Sequence, residues 1–382
     1  MKTNILLTLF IACSFFCNGK NGVTRIDMSH YQTICFDSLV TNISCTKLEN
    51  KLFEQCIDMI QHKDFLYFMG STIAGKSVTI YKNTGEFIKE LTFSDALLVN
   101  SMCVIPELEE LWVVSRFKII NKFKLDGTLI KRVSLPFPCA NIIPTDKHDF
   151  LVYSGGTCNE RGNIEGHFMA LTDFKSINKL FMPMQGKNEW PYTPYNLHTT
   201  DTNNNIFIFP PRIDTIYSYN FQQKELYPLY SLDFHGDFLK SDKGFEDHEM
   251  HEIITKRTYI HNRYSFYQAS GKLFFKLKGK REDFCFINLK DHLLYSFDRL
   301  FDQFQSRFIN PFVGSYKDKL YLLVWEKDLA EHYQNIKCNY PAIRKILPSL
   351  STDNSNWILI TIDNKNSQKN GKIWINKVSV WY

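Results

Sequence analysis

The feature that most constrains this chain is a phrase of four short apolar runs that recurs along residues 54–382. Each phrase has an apolar run, a polar turn, a second apolar run, and then two more runs joined by a turn. Runs this short, bounded by turns and rich in aromatic and β-branched residues, indicate β-strands. The second run is the clearest, and its copies read DFLYFM, ELWVV, DFLVY, NIFIF, GKLFF and KLYLLV at residues 64–69, 110–114, 149–153, 205–209, 271–275 and 319–324.

The third and fourth runs of each phrase have the pattern of β-hairpins. Residues 78–88 and 121–130 are the clearest copies, and Gly85 and Gly127 supply the positive φ that tight hairpin turns require. A single sheet of four strands cannot bury both of its faces, whereas radial stacking of such sheets covers them. The sequence therefore predicts an all-β fold, a six-bladed β-propeller of four-stranded antiparallel blades.

The repeat also gives approximate boundaries for the propeller. Residues 31–382 form it, and residues 31–46 supply a strand that closes the ring against the C-terminal residues 378–382. The blades are expected at roughly residues 54–95, 101–136, 139–183, 194–233, 263–298 and 307–382.

Composition agrees with a packed all-β chain and excludes several classes of protein. Aromatic residues make up 15% of the chain, with 32 Phe, 19 Tyr and 6 Trp. The net charge of +5 is small and its basic residues are scattered, so we expect no nucleic-acid partner. After the N-terminus, no segment has about 18 consecutive apolar residues, which is the length that a membrane-spanning helix needs.

The N-terminus has the pattern of a secretion signal. A polar start with one lysine precedes an apolar stretch at residues 5–12, which is too short to span a bilayer. The stretch LFIAC at residues 9–13 resembles a bacterial lipobox, in which a small residue precedes the cysteine that becomes lipid-modified. We therefore expect a signal peptide with lipobox at residues 1–17, lipidation at Cys13 with Cys17 as the alternative, and a tether at residues 18–30. Plain secretion with cleavage near residue 20 is the competing interpretation.

Eight further cysteines would then lie in an oxidising compartment, where disulfides persist. No CxxC pair occurs, and several cysteines lie inside apolar strand-like runs. Buried free thiols are therefore expected for most of them, while one or two bridges stay open, with Cys35, Cys45 and Cys56 as the closest cluster.

A lipobox followed by this repeat resembles the uncharacterised six-bladed propeller lipoproteins of Bacteroidetes, which share their shape with NHL and TolB-like propellers. The resemblance covers the whole chain and rests on strand phase and composition. It implies the propeller fold and a lipid-anchored location in the cell envelope, at the outer membrane. Surface lipoproteins of these bacteria often carry acidic residues after the lipidated cysteine. None follows here directly, which favours the periplasmic side.

Two short motifs look like catalytic chemistry. GSTIAGKS at residues 70–77 matches the P-loop pattern GxxxxGK[ST], but it leads into the β-branched run VTIY and not into a helix, so we expect a strand connection. HEMHE at residues 248–252 places its second histidine three residues after the first, where the zincin pattern needs four. We expect no metal and no cofactor, with His248 and His251 as a weak alternative metal site.

Loop lengths predict which face of the propeller binds. The turns between the first and second runs, and between the third and fourth, are short and polar. Every long insertion falls on the opposite rim, at residues 183–194, 234–262 and 326–356. Long loops on a rigid scaffold commonly carry function. Arginine, histidine and aromatic residues that could bind a ligand on this long-loop rim are Arg116, Trp190, Tyr192, Tyr195, Arg212, His261, Arg263 and Trp325.

These patterns favour a non-enzymatic envelope lipoprotein, a monomeric propeller that binds a protein, peptide or glycan on the long-loop rim. Its membrane contact would be the N-terminal lipid alone. The alternative is a propeller hydrolase, lactonase or lyase with a metal-assisted site at the channel mouth. That alternative needs histidines and carboxylates to converge there, and His251, His261, Glu249 and Glu326 are the candidates.

Overall fold

Strands dominate the part of the chain that the computed structural model describes, which is residues 22–34, 36–49, 53–72, 75–93, 99–146, 148–155, 164–184, 196–211, 213–239, 247–280, 283–297, 312–333, 341–352 and 356–364. The strands are β1 (Thr24–Asp27), β2 (Gln32–Ile34), β3 (Val40–Lys47), β4 (Gln55–His62), β5 (Phe65–Thr72), β6 (Gly75–Lys82), β7 (Phe87–Leu91), β8 (Val99–Ile105), β9 (Glu110–Ser115), β10 (Ile119–Lys124), β11 (Leu129–Ser134), β12 (Asn141–Pro144), β13 (Phe150–Tyr153), β14 (His167–Thr172), β15 (Ile177–Pro183), β16 (His198–Thr200), β17 (Ile206–Ile208), β18 (Thr215–Asn220), β19 (Glu225–Asp233), β20 (Ile260–Ala269), β21 (Lys272–Gly279), β22 (Phe284–Asn288), β23 (Leu294–Phe297), β24 (Gly314–Tyr316), β25 (Lys319–Trp325) and β26 (Trp357–Asn364). The α-helices are α1 (Asp247–Lys256), α2 (Glu326–Tyr333) and α3 (Pro341–Ile346).

The strands form six antiparallel blades around one axis. Blades 1 to 5 consist of β4–β7, β8–β11, β12–β15, β16–β19 and β20–β23, and blade 6 consists of β24–β26 together with β3. Contacts between neighbouring inner strands join β16, β20, β24, β4, β8 and β12 in that order. Blades 4 and 5 each gain an outer fifth strand, since β1 and β2 pair in parallel with β19 and β23. The predicted six-bladed propeller is confirmed.

The N-terminal segment completes the last blade. Strand β3 pairs antiparallel with β26, with Lys47 opposite Ile358 and Val40 opposite Asn364. Residues 40–47, which directly precede blade 1, are thereby joined with residues 357–364 within one sheet, and this closes the ring. The partner of β3 in the described structure is β26, while the expected partner, residues 378–382, lies outside the described residues.

The core consists of six clusters of buried side chains, and each cluster lies between two neighbouring blades. Between blades 6 and 1, the rings of Phe53 and Trp357 stack with centroids 5.7 Å apart, and the Trp357 indole N–H donates to the Phe53 carbonyl at 3.0 Å. This arrangement shows how the aromatic runs of the sequence are used, since each blade covers its apolar faces with the next blade.

Glycine positions follow from this packing. Gly85 and Gly127 have φ of +92° and +82° in their hairpin turns, so the predicted positive φ is confirmed. A Cβ at Gly70 would lie only 2.4 Å from the Cβ of Phe53. The P-loop-like segment is the β5–β6 hairpin, and Lys76 donates from Nζ to the Val99 carbonyl at 2.9 Å. Its first glycine therefore serves the contact between blades.

Five of the described cysteines are free thiols, as expected for strand residues. Cys56, Cys103, Cys139 and Cys285 are buried, and Cys45 is half-buried. Cys35, a member of the expected cluster, lies outside the described residues, as do Cys158 and Cys338. Within the described part of the chain, no helix has the length and apolar character needed to cross a membrane.

Candidate functional site

The inner strands surround a cavity of about 800 Å³ on the propeller axis, here called the axial cavity. All six inner strands contribute side chains to its lining, and so do the turns that follow four of them. The axial cavity therefore opens on the face of the short turns, opposite the long-loop rim. A cavity of this size, with polar groups in its wall, has the dimensions of a small-ligand site.

Asp58 reaches the axial cavity through an irregularity in β4. The pairing of β4 with β5 shifts between Cys56 and Asp58, so that Ile57 is an extra residue. In a regular strand, residues three apart lie on opposite faces. Here Cys56 and Met59 both pack between blades 6 and 1, while Asp58 lines the axial cavity. The bulge thus places a carboxyl group in a wall that is otherwise largely uncharged.

The Asp58 carboxyl group has little compensation for its burial. One oxygen accepts a hydrogen bond from the Met59 backbone N–H at 2.9 Å. No basic side chain of the described residues forms an ion pair with it. Burial therefore raises the pKa of Asp58 to about 7. Near neutral pH the group can donate as an acid or accept as a carboxylate.

Tyr267 of β20 brings a phenol to the same cavity. Its side chain is 5% exposed, and its hydroxyl has no hydrogen-bond partner in the structure. Burial raises the pKa of Tyr267 well above its usual range, and the charges of Asp58 and Cys56 add to this effect. Asp58 and Tyr267 therefore both contribute to the wall of the axial cavity.

Amide and imidazole groups complete the polar wall. Asn141 and Asn196 are buried, and the Asn141 Oδ1 and both polar side-chain atoms of Asn196 have no partner. Burial lowers the pKa of His198 to about 4, so the ring is neutral, and its Nδ1 is also unpartnered. Buried polar groups in proteins are nearly always hydrogen-bonded. Asn141, Asn196 and His198 carry such unpartnered groups in residues of the cavity wall, and Ser77, Thr79 and Gln268 carry them elsewhere in the described structure.

The turns at the mouth of the axial cavity carry more charged residues than the strands that form its wall. Three acidic residues, Glu107, Asp146 and Asp201, lie in the turns that line it, together with the single basic residue Lys317. Phe221 adds an aromatic ring that is 40% exposed. The mouth therefore combines a net negative charge with an accessible apolar face.

On the long-loop rim, the described residues serve packing more than binding. Arg263 is buried, donates from Nη1 to the Asn196 carbonyl at 3.1 Å, and places its guanidinium 4.4 Å from the centre of the Phe209 ring. Trp325 packs against Trp357 with centroids 4.6 Å apart. Arg116 is exposed in the turn between β9 and β10.

Arg116, Arg263 and Trp325 belong to blades 2, 5 and 6. His261 lies in β20, but its side chain is outside the described part. Trp190, Tyr192, Tyr195 and Arg212 also lie outside the described residues, as do Cys13 and Cys17. The long-loop rim as a ligand site therefore stays a prediction.

The expected carboxylate and histidine candidates have other surroundings. Glu326 is fully buried at the start of α2. It accepts hydrogen bonds from Lys47 Nζ at 2.7 Å, from the Ser351 N–H at 3.1 Å and from Asn356 Nδ2 at 3.3 Å. It thus fastens the long insertion of blade 6 to β3.

The HEMHE motif lies within α1, where Glu252 pairs with Lys256 on an exposed surface. The side chains of His248 and His251 lie outside the described part of the chain. Among the described residues, no group of three or more histidine, cysteine, aspartate or glutamate side chains could hold a metal ion.

Comparison with known proteins supports the fold and adds no assigned function. No protein-family model matches the sequence, and no curated protein matches it. A crystal structure from Bacteroides fragilis, described as a candidate exported protein, matches with a TM-score of 0.68 and 16% identity over 90% of this chain and 99% of that one. At this identity the match shows a shared fold.

Two enzyme structures match more weakly. A luciferin-regenerating enzyme has a TM-score of 0.45 and 10% identity over 84% of this chain and 95% of its own. A virginiamycin B lyase from Staphylococcus aureus has a TM-score of 0.38 and 10% identity over 74% of this chain and 81% of its own. Neither match supports an inference about this chain.

Proposed function

We propose that this protein is a binding scaffold of the cell envelope that takes a small polar ligand, a peptide end or a glycan fragment, into the axial cavity. The observation that carries the proposal is the cavity of about 800 Å³, whose lining includes the Asp58 carboxyl group and polar residues of several inner strands. In a concave site, a small number of polar groups fix the orientation of a ligand and give specificity.

The proposed location is the periplasmic side of the outer membrane, with a lipid anchor at Cys13 or, as the alternative, Cys17. The signal pattern of residues 1–17 supports this location. The description of the B. fragilis protein with the same fold as a candidate exported protein agrees with it. A lipid at the N-terminus would tether the propeller through residues 18–30 and leave both of its faces accessible.

The long-loop rim is the second proposed surface, and a protein partner is its natural occupant. The exposed Arg116 supports such a role, since a guanidinium can pair with a partner's carboxylate. No observation on the described residues favours the metal-assisted hydrolase, lactonase or lyase alternative.

A thermal-shift screen tests the proposal without knowledge of the ligand. The purified full chain in detergent is melted with oligosaccharides, peptides, amines, nucleotides and divalent metals, with an EDTA control. A ligand at 100 times its Kd stabilises the native state by about 2.7 kcal/mol, which is a rise in melting temperature of about 3 °C for a chain of this size.

Two variants locate the binding site. Thr200→Trp fills the axial cavity from an exposed strand position in its wall, and Lys131→Trp places the same ring on the exposed outer strand of blade 2. We expect a stabilising ligand to lose its effect on Thr200→Trp and to keep it on Lys131→Trp. Equal stabilisation of both variants would place binding elsewhere. A flat panel would contradict the small-ligand proposal and direct the search to a protein partner by cross-linking in cells.

A further inference from the structure

We propose that the axial cavity selects ligands that carry a positively charged nitrogen, an amine or a guanidinium group, with the carboxylate of Asp58 as its counter-ion. This inference rests on the proposed function and names the ligand class of the same site. Three features of the cavity support it. They are the acceptor that Asp58 offers in the cavity wall, the negative charge at the cavity mouth, and the unfavourable desolvation of Asp58 by neutral or anionic ligands.

The floor offers hydrogen-bond acceptors that the protein does not use. Asp58 accepts one backbone N–H and has no ion-pair partner among the described residues. Asn141 and Tyr267 line the same cavity, and the Asn141 Oδ1 and the Tyr267 hydroxyl oxygen are themselves inaccessible to solvent, so Asp58 is the acceptor that a ligand reaches. An ammonium group presents three N–H donors and no acceptor, and a guanidinium presents five donors. The Asp58 carboxylate is therefore matched to a cationic nitrogen.

The charge of the mouth supports the same ligand class. Glu107, Asp146 and Asp201 outnumber Lys317 among its lining residues, although the whole chain has a net charge of +5. A cleft of one sign with low-dielectric walls concentrates ligands of the opposite sign. The acidic mouth of a basic protein thus attracts cations to the cavity and repels anions from it.

Binding of a neutral or an anionic ligand next to Asp58 is unfavourable. A neutral ligand that fills the axial cavity displaces solvent from the carboxyl group and leaves it with no opposite charge, which is unfavourable for the ionised form. An anionic ligand adds repulsion to this cost. A cationic ligand offsets the desolvation of Asp58, because it forms a charge-assisted hydrogen bond with the carboxylate.

Matched ligand pairs test the inference, because they differ in charge and little in shape. Isothermal titration calorimetry at pH 8 compares cadaverine with its diol counterpart, and the free-amine chitosan dimer with the N-acetylated dimer. A hydrogen bond between charged groups contributes about 1.5–3 kcal/mol, so the cationic member of a pair should bind about tenfold more tightly or better. Equal or weaker binding of the cationic members, or no binding by either of them, would overturn the inference.

Two charge-removing variants identify the counter-ion. Asp58→Asn keeps the shape of the side chain and should reduce the affinity for the cationic probe by about tenfold, while leaving the neutral counterpart unchanged. Glu86→Gln removes an exposed carboxylate that pairs with Lys82 on blade 1, away from the cavity lining, and should change the affinity less than twofold. Unaltered cation affinity in folded Asp58→Asn would also overturn the inference.

The two proposals fail separately. If a neutral glycan or peptide binds and Thr200→Trp abolishes this binding, the axial cavity is a ligand site and the preference for cations is wrong. If cadaverine binds equally well to the wild type and to Thr200→Trp, the amine site is not the axial cavity. Circular dichroism and melting curves of each variant confirm that the propeller is folded.

Discussion

Replacement of Asp58 by asparagine should stabilise the unliganded protein at neutral and alkaline pH. The pKa of Asp58 is raised because burial disfavours its carboxylate, and no positive partner compensates. A raised pKa in an acid means that the folded state holds its proton more tightly than the unfolded state does. Stability therefore falls as the pH rises from the unfolded pKa towards the folded one, and it stays reduced above that range.

The size of the effect follows from the pKa difference. The pKa rises from 3.8 to about 7, and about 3 units at about 1.4 kcal/mol each give a ceiling of about 4 kcal/mol above pH 8. Solvent reaches the carboxyl group through the axial cavity, so we expect about half of this, about 2 kcal/mol. At pH 5, the expected gain in the free energy of unfolding is less than half of the gain at pH 8, about 1 kcal/mol.

Urea unfolding of the wild type and of Asp58→Asn at pH 5 and pH 8 measures the gain. The free energy of unfolding should be higher for the variant at both values, with the larger gain at pH 8. Glu86→Gln serves as the control for a change in net charge and should show no comparable gain at either pH. A gain for Asp58→Asn that is equal at both pH values, or a loss of stability at pH 8, would refute the assignment of Asp58 as an uncompensated buried acid.

Three further changes test other parts of the structure. Glu326→Gln should lower the free energy of unfolding by about 2 kcal/mol in urea titrations, because the amide loses the buried charge on which three donors converge. Gly70→Ala should cost about 1–3 kcal/mol in thermal melts, since its Cβ would press on Phe53, and ATP should not restore the loss. His235 should titrate above the ordinary histidine pKa in an NMR titration, because its Nε2 lies 2.8 Å from the Asp27 carboxylate, and Asp27→Asn should return it towards that value. This contact holds β1 in weakly acidic solution and weakens as the pH rises through the pKa of His235.

The fold could be predicted because the propeller repeats one local pattern. Alternating short runs and turns specify each blade without knowledge of distant residues, and Gly85 and Gly127 mark two of the hairpins. Ring closure depends instead on pairing between residues 40–47 and 357–364, which are far apart in the chain. The pairing of β3 with β26 is a long-range contact that no local pattern encodes.

The polar groups of the axial cavity were missed for a related reason. Asp58 lies in the run CIDMI, where regular alternation makes it one polar position of an ordinary strand. The irregular pairing at Ile57 becomes visible only when β5 is in place. Tyr267 was missed in the same way. Its apolar run has the pattern of a core strand, and only the folded ring reveals that its hydroxyl lacks a hydrogen-bond partner. The signal that could have found the site was a carboxylate inside an apolar run of an innermost strand.

Two kinds of buried polar group occur in this propeller, and the contrast locates function better than loop length does. Glu326 is buried with three hydrogen-bond donors around its carboxylate, so its burial stabilises the contacts between distant segments. Around the axis, Asn141 and Tyr267 are buried and Asp58 is half-buried, and the Asp58 carboxyl group accepts one backbone N–H and has no ion-pair partner among the described residues. A chain that needed only a stable ring could fill these positions with apolar residues and gain stability. Asp58 lines the one described cavity that all six blades build, and a ligand of opposite charge bound there would compensate its carboxylate.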